Sequence, residues 1–182
     1  MNVVRARRLV VGGLATVAVA LGISSVADGS PVRAVAAKVA SVVAPNQSEF
    51  VPIRPCRILD SRNWGEGPFN AGEYAYVEVT GSSTEFAANG GNSGGCGIPS
   101  GATAAEFALT AVGAQGSGYV RLWPANETLP NATFLNFGPF QNSSNSGAIK
   151  IDNVTGEPSL IVAVFGGTTH VVIDVFGYYA PV

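Results

Sequence analysis

The C-terminal third of the chain has the clearest alternation of apolar and polar positions. Residues 159–165 read SLIVAVF, Gly166-Gly167 follows, and residues 168–176 read TTHVVIDVF. Two β-branched runs that flank a Gly-Gly pair are typical of a β-hairpin, because a two-residue primed turn needs the positive φ angles that glycine adopts freely. The pattern therefore predicts a hairpin over residues 159–176.

One face of this predicted hairpin is wholly apolar and the other is mixed. A register slip of one residue would place Asp174 on the apolar face, so the pattern specifies the register strongly. Burial of six such side chains contributes about 10 kcal/mol before conformational entropy is subtracted. We expect the apolar face to form the centre of the core; it consists of Leu160, Val162, Val164, Val171, Ile173 and Val175.

Shorter alternating runs precede this region, and turn residues separate nearly all of them. Together they predict about eight or nine short strands and no helix, which favours an all-β, antiparallel β-sandwich of jelly-roll or Greek-key type. Pro52 and Pro55 confine the first two runs to a sheet edge or to a sheet-crossing bend, since proline cannot donate to a neighbouring strand. The other predicted strands cover 50–53, 57–60, 73–80, 104–112, 119–123, 132–137 and 147–152.

The N-terminal residues have the pattern of a secretory signal. A basic stretch precedes an apolar run over 9–23, and Ser25-Val26-Ala27 provides the small residues of a cleavage site. The sequence thus predicts a signal peptide over 1–27 and a secreted or cell-surface location in a bacterium. The alternative is a retained N-terminal anchor helix.

Residues 28–47 connect this signal to the main domain. Their centre, AVAAKVASVV at 34–43, is apolar for a linker. It is either a spacer or a strand that adds to the sheet edge of a neighbouring copy, and the second possibility predicts a homo-oligomer or filament. Residues 48–182 are long enough for a single β-sandwich domain with a core of its own.

Charge in the domain is sparse and mainly negative. Residues 48–182 contain five basic and eleven acidic residues, a net charge of −6. Binding to nucleic acid through phosphates requires a basic patch, so we expect no nucleic-acid partner. No stretch after the signal is long and apolar enough to span a membrane, so we expect no membrane contact after signal cleavage.

The chain contains two cysteines, Cys56 and Cys96. An even count in an exported chain predicts a disulfide, and the alternative is a free reactive thiol. The bond would close a loop of about 40 residues and stabilise the domain by about 4 kcal/mol. Two thiols without clustered histidines are a poor metal site, and no loop has regular calcium-motif spacing, so we expect no metal and no cofactor. The alternative is calcium ligation by acidic and amide residues of the loops, namely Asn89, Asn92, Asp152, Asn153 and Glu157.

Three motifs resemble a module that is widespread in secreted bacterial proteins. They are FVPIRPCRILDSR at 50–62, CGIPSGATA at 96–104 and THVVIDVFGYY at 169–179, in the order PCRxLD[ST]R, GCxIPxxA and DxxGYY, with RLWPA and LNF between the last two. The resemblance covers residues 50–182. It implies an extracellular β-sandwich without an established activity, without catalytic residues to carry over, and with a bond between Cys56 and Cys96.

Four charged residues lie beside apolar strands, namely Asp60, Arg62, Arg57 and Asp174. A buried carboxylate needs a partner, because its charge is otherwise strongly disfavoured. We expect structural ion pairs that fix the first strand segment to the last one. The alternative is a catalytic carboxylate pair of the kind that glycosidases use.

His170 is the only histidine in the chain. A catalytic triad needs a nucleophile and an orienting acid around such a residue, and the sequence contains no GxSxG motif. We therefore interpret His170 as a sheet-face residue rather than a ligand or a base. The sequence predicts no catalytic residues and no enzymatic activity.

Four aromatic residues fall on outward positions of their strands, namely Tyr74, Tyr76, Tyr119 and Trp123. Such residues can be covered by loops, bury into a partner protein, or stack on sugar rings. The sequence accordingly favours an exported, non-enzymatic structural or adhesive module that can self-assemble. The alternative is a carbohydrate-binding module that holds a surface glycan on these aromatic rings.

Overall fold

The computed structural model describes residues 47–82, 84–152 and 159–182. The predicted signal peptide at 1–27 and the predicted assembly strand at 34–43 lie outside this range. In chain order the elements are β1 (Ser48–Asp60), β2 (Tyr74–Val77), α1 (Glu85–Ala88), β3 (Ala104–Val112), β4 (Gly118–Pro124), β5 (Leu135–Phe137), β6 (Ser143–Lys150), β7 (Leu160–Gly166) and β8 (His170–Pro181).

The strands form two antiparallel four-stranded sheets. The first has the order β1-β8-β3-β6 and the second has the order β2-β7-β4-β5. Buried side chains from both sheets belong to one hydrophobic core. The prediction of an all-β antiparallel sandwich is therefore confirmed. No helix in the described residues is long and apolar enough to cross a membrane.

The core consists of the inward positions that the alternation marked. Along β3, Phe107 and Leu109 are fully buried, whereas Glu106 and Thr110 on the other face keep partial contact with solvent. The six apolar residues predicted as the centre of the core are all fully buried. The period-two pattern identified the buried face because successive side chains of a strand point to opposite sides of its sheet.

The predicted hairpin is wrong, although its buried residues are right. β7 pairs with β2 and β4, whereas β8 pairs with β1 and β3, so the connection between them crosses from one sheet to the other. The six apolar side chains face each other across the sandwich instead of sharing one sheet face. Alternation reports which face is buried, but the inner faces of two sheets are equally apolar and the pattern does not distinguish them.

The Gly166-Gly167 pair allows the chain to cross from β7 in one sheet to β8 in the other. Gly166 has a φ of +91°, in the left-handed region that glycine tolerates. Gly167 lies against the backbone of Gly116, and a Cβ added to Gly167 would lie 2.5 Å from the Gly116 carbonyl carbon. The pair therefore allows two connections at one end of the sandwich to touch backbone to backbone.

Gly167→Ala is expected to destabilise the domain by about 1–3 kcal/mol, because its new methyl group would force these two backbone segments apart. Gly101→Ala is the matched control, since a Cβ at Gly101 meets nothing within 4 Å. Urea unfolding of both variants measures the difference. Equal midpoints for the two variants would show that the close approach places no restriction on residue size.

The first sheet departs from the predicted boundaries at both of its edges. β1 is one 13-residue strand at the sheet edge, with register irregularities between Pro52 and Cys56 and between Arg57 and Leu59. β6 starts at Ser143, inside a stretch predicted to be a turn. Its serines suit an edge strand because their outer face meets solvent.

The long connection between β2 and β3 packs against β1. Phe86 of α1 and Ile98 are buried in the core. The backbone amide of Asp60 donates to the Asn89 carbonyl at 2.8 Å, and that of Asn92 donates to the Arg57 carbonyl at 2.9 Å. These bonds cover the C-terminal part of an edge strand that would otherwise present unpaired backbone groups. A disulfide joins Cys56 to Cys96, as predicted.

Candidate functional site

The structure brings the four predicted ion-pair residues together where β1 meets β8. Arg57 Nε lies 2.9 Å from Asp174 Oδ1, and Arg57 Nη1 lies 3.0 Å from Asp60 Oδ2. Arg62 donates to Asp60 from Nε at 2.8 Å, from Nη2 at 2.7 Å and from its backbone amide at 3.1 Å. Arg57 thus bridges two carboxylates on neighbouring strands, and Asp60, which is fully buried, accepts bonds from two guanidinium groups.

This network favours the charged forms of Asp60 and of the two arginines. The side-chain hydrogen bond from Arg62 is the main cause that holds the pKa of Asp60 below its ordinary value. The hydrogen bond to Asp174 is the main cause that raises the pKa of Arg57. A carboxylate that stays ionised and is surrounded by fixed donors is suited to holding β1 in place, not to exchanging protons with a substrate.

His170 takes part in a contact that the sequence did not indicate. Its Nδ1 is hydrogen-bonded to Ser61 Oγ at 3.1 Å. The same Oγ accepts the backbone amide of Val171 at 2.9 Å, and Ser61 is buried. The adjacent Asp60 carboxylate bonds to arginines rather than to His170. Ser61 and His170 therefore join the loop after β1 to β8 and have the geometry of a structural contact.

A second carboxyl group has a perturbed pKa away from this network. Burial raises the pKa of Glu78, and repulsion from Glu85 raises it further. The two glutamates thus form a local acidic pair next to β2.

No group of three or more His, Cys, Asp or Glu side chains within 47–82, 84–152 and 159–182 is arranged to hold a metal ion.

The predicted aromatic residues lie on the outer face of the second sheet. The register places Tyr76, Ile161 and Trp123 in one row across β2, β7 and β4. The next rows contain Tyr74 with Ala163 and Arg121, and then Phe165 with Tyr119. We call this surface the aromatic face; it consists of Tyr74, Tyr76, Tyr119, Arg121, Trp123, Ile161, Ala163 and Phe165.

Only two of the four predicted aromatic residues offer an open ring. Tyr74 is 61% exposed and Tyr76 is 51% exposed, whereas Trp123 is only 7% exposed. Trp123 is buried because it packs with Ile161 and Ala163 in an apolar cluster separate from the main core. Trp123 thus lies on the outer face of the second sheet, but it presents little of its ring to solvent.

Tyr119 is covered by its neighbours. Its ring stacks on Phe165 with centroids 4.9 Å apart and an interplanar angle of 14°. The guanidinium carbon of Arg121 lies 5.3 Å from the centroid of Tyr119 and 5.2 Å from that of Phe165. This cation–π arrangement fixes Arg121, which also donates from Nη1 to the Pro130 carbonyl at 2.8 Å. Tyr119 thus stabilises the aromatic face by packing with Phe165 and Arg121, and it presents little open ring to a ligand.

A groove of about 330 Å³ runs over the exposed half of the aromatic face. Its floor is apolar and includes Ile161 and Ala163, and its walls include Tyr76, Leu129 and Glu127. Leu129 comes from the connection between β4 and β5 and is exposed. The sequence alone did not indicate that these residues share one concave surface.

A second cavity, of about 380 Å³, adjoins the first; we call it the loop pocket. It is formed by the connection from β1 to β2 and by the start of β2. Trp64 packs on Phe69 with ring centroids 4.8 Å apart, and its Nε1 donates to the Gly67 carbonyl at 2.6 Å. Gly72 and Tyr74 line both cavities. The two cavities therefore meet at Tyr74.

Acidic and amide groups line the loop pocket. Glu73 accepts from the Asn70 backbone amide at 2.8 Å and from Asn70 Nδ2 at 3.0 Å. The backbone bond is the first cause that lowers the pKa of Glu73, so this carboxylate stays ionised. Glu66 also lines the pocket and is exposed. The sequence contained one indication of this pocket, namely a tryptophan and two glutamates in a glycine-rich connection.

The largest of these cavities, about 520 Å³, lies beside the disulfide at the first irregularity of β1. Arg54 and Asn92 line it. Asn92 Nδ2 donates to the Gly95 carbonyl at one side of this cavity. It contains no open aromatic ring, so the aromatic face remains the stronger candidate for binding.

No protein-family model matches the sequence, and no match was found to a curated protein or to a solved structure. The resemblance to the secreted bacterial module therefore remains a prediction from the motifs. The geometry of the aromatic face and of the loop pocket is therefore the basis for a functional assignment.

Proposed function

We propose that the chain is an exported, non-enzymatic structural or adhesive module of a bacterial surface, and that it contacts its target through the aromatic face. The observation that carries this proposal is the exposure of Tyr74 and Tyr76 beside an apolar groove. Both tyrosines lie on a strand whose other face is already anchored in the core by Val77. Their exposure therefore contributes nothing to the packing of the sandwich itself.

The composition of the aromatic face differs from what folding alone requires. Antiparallel sheets commonly bury one face and leave the other polar. Here the outer face of the second sheet is largely apolar, with Ile161 and Ala163 in a separate cluster and Leu129 exposed at its border. Exposed apolar patches of this kind usually mark a contact with a partner, and tyrosine is enriched in such contacts.

The predicted export supports the same proposal. The disulfide suits an oxidising compartment outside the cytoplasm. Asp60, Arg57 and Asp174 are held in a closed set of ion pairs, which strengthens the sandwich without providing a free acid or base. A rigid sandwich with a binding face on its strands is suited to attachment. Assembly through residues 34–43 remains a separate prediction.

Tyr74→Ala combined with Tyr76→Ala is expected to weaken attachment of the mature chain, residues 28–182, to the producing cells by about tenfold. The variant removes both open rings, and such anchors dominate contact energies. Flow cytometry with labelled protein measures the effect. The matched control is Phe176→Ala, since Phe176 is 37% exposed on the other sheet.

Two outcomes would contradict this proposal. In the first, the wild-type protein does not attach to any producing-cell surface. In the second, the tyrosine variant attaches as well as Phe176→Ala does. Thermal unfolding of all three proteins shows whether a lost signal reflects the missing rings or an unfolded domain.

A further inference from the structure

The groove and the loop pocket form one extended depression with Tyr74 in its middle. Their volumes, about 330 Å³ and about 380 Å³, each lie in the range of small-molecule sites. Tyr74 contributes to both, so a ligand longer than either cavity can lie across its ring. The depression therefore fits an elongated molecule of several similar units better than a single compact one.

Aromatic rings occur along the whole depression, at Tyr76, Tyr74 and Trp64. The rings of Tyr74 and Tyr76 have centroids 5.9 Å apart and an interplanar angle of 82°, so they present different orientations to a ligand. The backbone of both tyrosines is held in a strand, and Trp64 is held by its hydrogen bond to the Gly67 carbonyl and by the packing of its ring on Phe69. Pre-organised rings lose little conformational entropy when a ligand stacks on them.

Carboxylates lie beside these rings, and their presence favours a sugar ligand over an apolar protein partner. Glu66 and Glu73 form no salt bridge with any residue in the described part of the chain, unlike Asp60 and Asp174. A mainly apolar protein partner would bury the charge of Glu66 without a cation and would leave Glu73 with only its two bonds from Asn70, which is costly. Protein interfaces are also depleted of charge at their centre. A sugar offers an apolar ring face for the aromatic side chains and hydroxyl donors for the carboxylates.

The negative charge around the depression narrows the range of suitable ligands further. Glu66, Glu73 and Glu127 all border the depression, in a domain whose net charge is −6. Arg121 is engaged with two rings, and Lys150 bonds to Glu127 at 2.8 Å. A polyanionic glycan would therefore be repelled.

We infer that the depression binds a neutral oligosaccharide of at least two sugar units, which crosses Tyr74 from the groove into the loop pocket. This inference depends on the proposed function, because it names the chemistry of the adhesive target. It also assigns Trp64, Glu66 and Glu73 to the binding site, although the sequence pattern pointed only to residues on the strands.

The test is affinity electrophoresis of the mature chain in native gels that contain one soluble polysaccharide each. The probes are laminarin, galactomannan, xyloglucan and glycol chitin as neutral chains, with heparin as the anionic chain. At least one neutral probe should retard the wild-type protein, and heparin should not. Trp64→Ala and Tyr74→Ala should each weaken the retardation by about three- to tenfold, whereas Phe176→Ala should leave it unchanged.

Failure of the inference is distinguishable from failure of the proposed function. The inference is overturned if no neutral probe retards the protein, or if Tyr74→Ala is retarded as strongly as wild type. Cell attachment then decides the wider proposal. Periodate treatment of the cells, which cleaves vicinal diols, should abolish attachment if the target is a glycan with such diols, as in galactomannan and xyloglucan. For glycans without them, as in laminarin and glycol chitin, competition by the soluble chain should abolish attachment instead. Attachment that is sensitive only to protease would overturn the glycan and keep the adhesive role.

Self-association gives an independent outcome. Sedimentation velocity of the mature chain reports whether a second copy occupies the aromatic face. Oligomers that dissociate on Tyr74→Ala would overturn the glycan assignment and make the face a contact between copies. Oligomers that are unaffected by Tyr74→Ala leave the face free for the sugar and support the inference together with the gel result.

Discussion

Replacement of both Cys56 and Cys96 by serine is expected to lower the free energy of unfolding by about 4 kcal/mol. The two residues are separated by 40 positions, and the bond removes the entropy of that loop from the unfolded chain. A loss of this size is a large part of the stability of an ordinary domain. The variant should therefore be partly unfolded at physiological temperature.

The enclosed loop explains why the loss extends beyond the bond itself. Residues 57–95 include β2, the connection with α1, and the loop pocket. Without the bond, Phe86 and Ile98 keep their apolar contacts but lose the covalent anchor of their segment to β1. We expect the connection that covers the β1 edge to open first.

Urea unfolding with and without a reducing agent measures this effect. Reduced wild-type protein is the control, and it should match the double-serine variant, because the chain contains no further cysteine. A midpoint that does not change on reduction would contradict the prediction. A loss on mutation without a loss on reduction would point to the serine hydroxyls instead of the missing bond.

Asp60→Asn is expected to destabilise the domain by about 3 kcal/mol. The carboxylate is fully buried and accepts hydrogen bonds from two guanidinium groups. An amide would turn an NH2 group towards one of them and would remove the negative charge between two positive ones. The loss lies at the lower end for a broken buried pair because the side chains of Arg57 and Arg62 are 40% and 44% exposed and can turn to water.

Glu127→Gln is the matched control for this variant. Glu127 also accepts a salt bridge, from Lys150 at 2.8 Å, but both side chains are exposed. Exposed pairs contribute little to stability because water and salt screen them, so the control should unfold close to wild type. Similar losses for Asp60→Asn and Glu127→Gln would show that burial of the network has no energetic consequence.

The effect of Asp60 should depend on pH with a definite sign. Its pKa in the folded state is lowered, mainly by the hydrogen bond from Arg62, so the charged form stabilises the fold. This contribution is complete above the unfolded pKa of about 3.9 and is lost as the pH falls through the lower folded value. The difference between wild type and Asp60→Asn should therefore shrink in urea titrations below about pH 4, and a difference that grows there would contradict the assignment.

The sequence predicted the buried residues of this fold better than their pairing. The alternation of Leu160, Val162 and Val164 does not depend on which strand pairs with β7, because it reflects only which side of a strand meets the core. Pairing of β7 with β8 was inferred from the Gly-Gly sequence. In the structure one of these glycines takes a positive φ, but the other is required by the nearby backbone of Gly116, a contact that no local pattern reports.

The sequence also predicted only part of the candidate site, because alternation shows which side chains point outward but not which neighbours cover them. Tyr74 and Tyr76 lie on an edge strand, where an outward side chain meets solvent, so their exposure followed from alternation. Trp123 lies on an interior strand, and Ile161 and Ala163 of the neighbouring strand β7 pack against it. The loop pocket depends on how an irregular connection folds back on Tyr74, which the sequence pattern does not specify.

The order of the first sheet has a consequence for how the domain reaches its native state. β8 lies between β1 and β3, so both of these strands pair with an element that follows them at a long distance in the sequence. Until β8 docks, β1 has no partner strand among the residues that the structure describes. Because pairing across so many residues is slow, we expect the first sheet to form late in folding. Docking of β8 is therefore the step that we expect to complete this sheet.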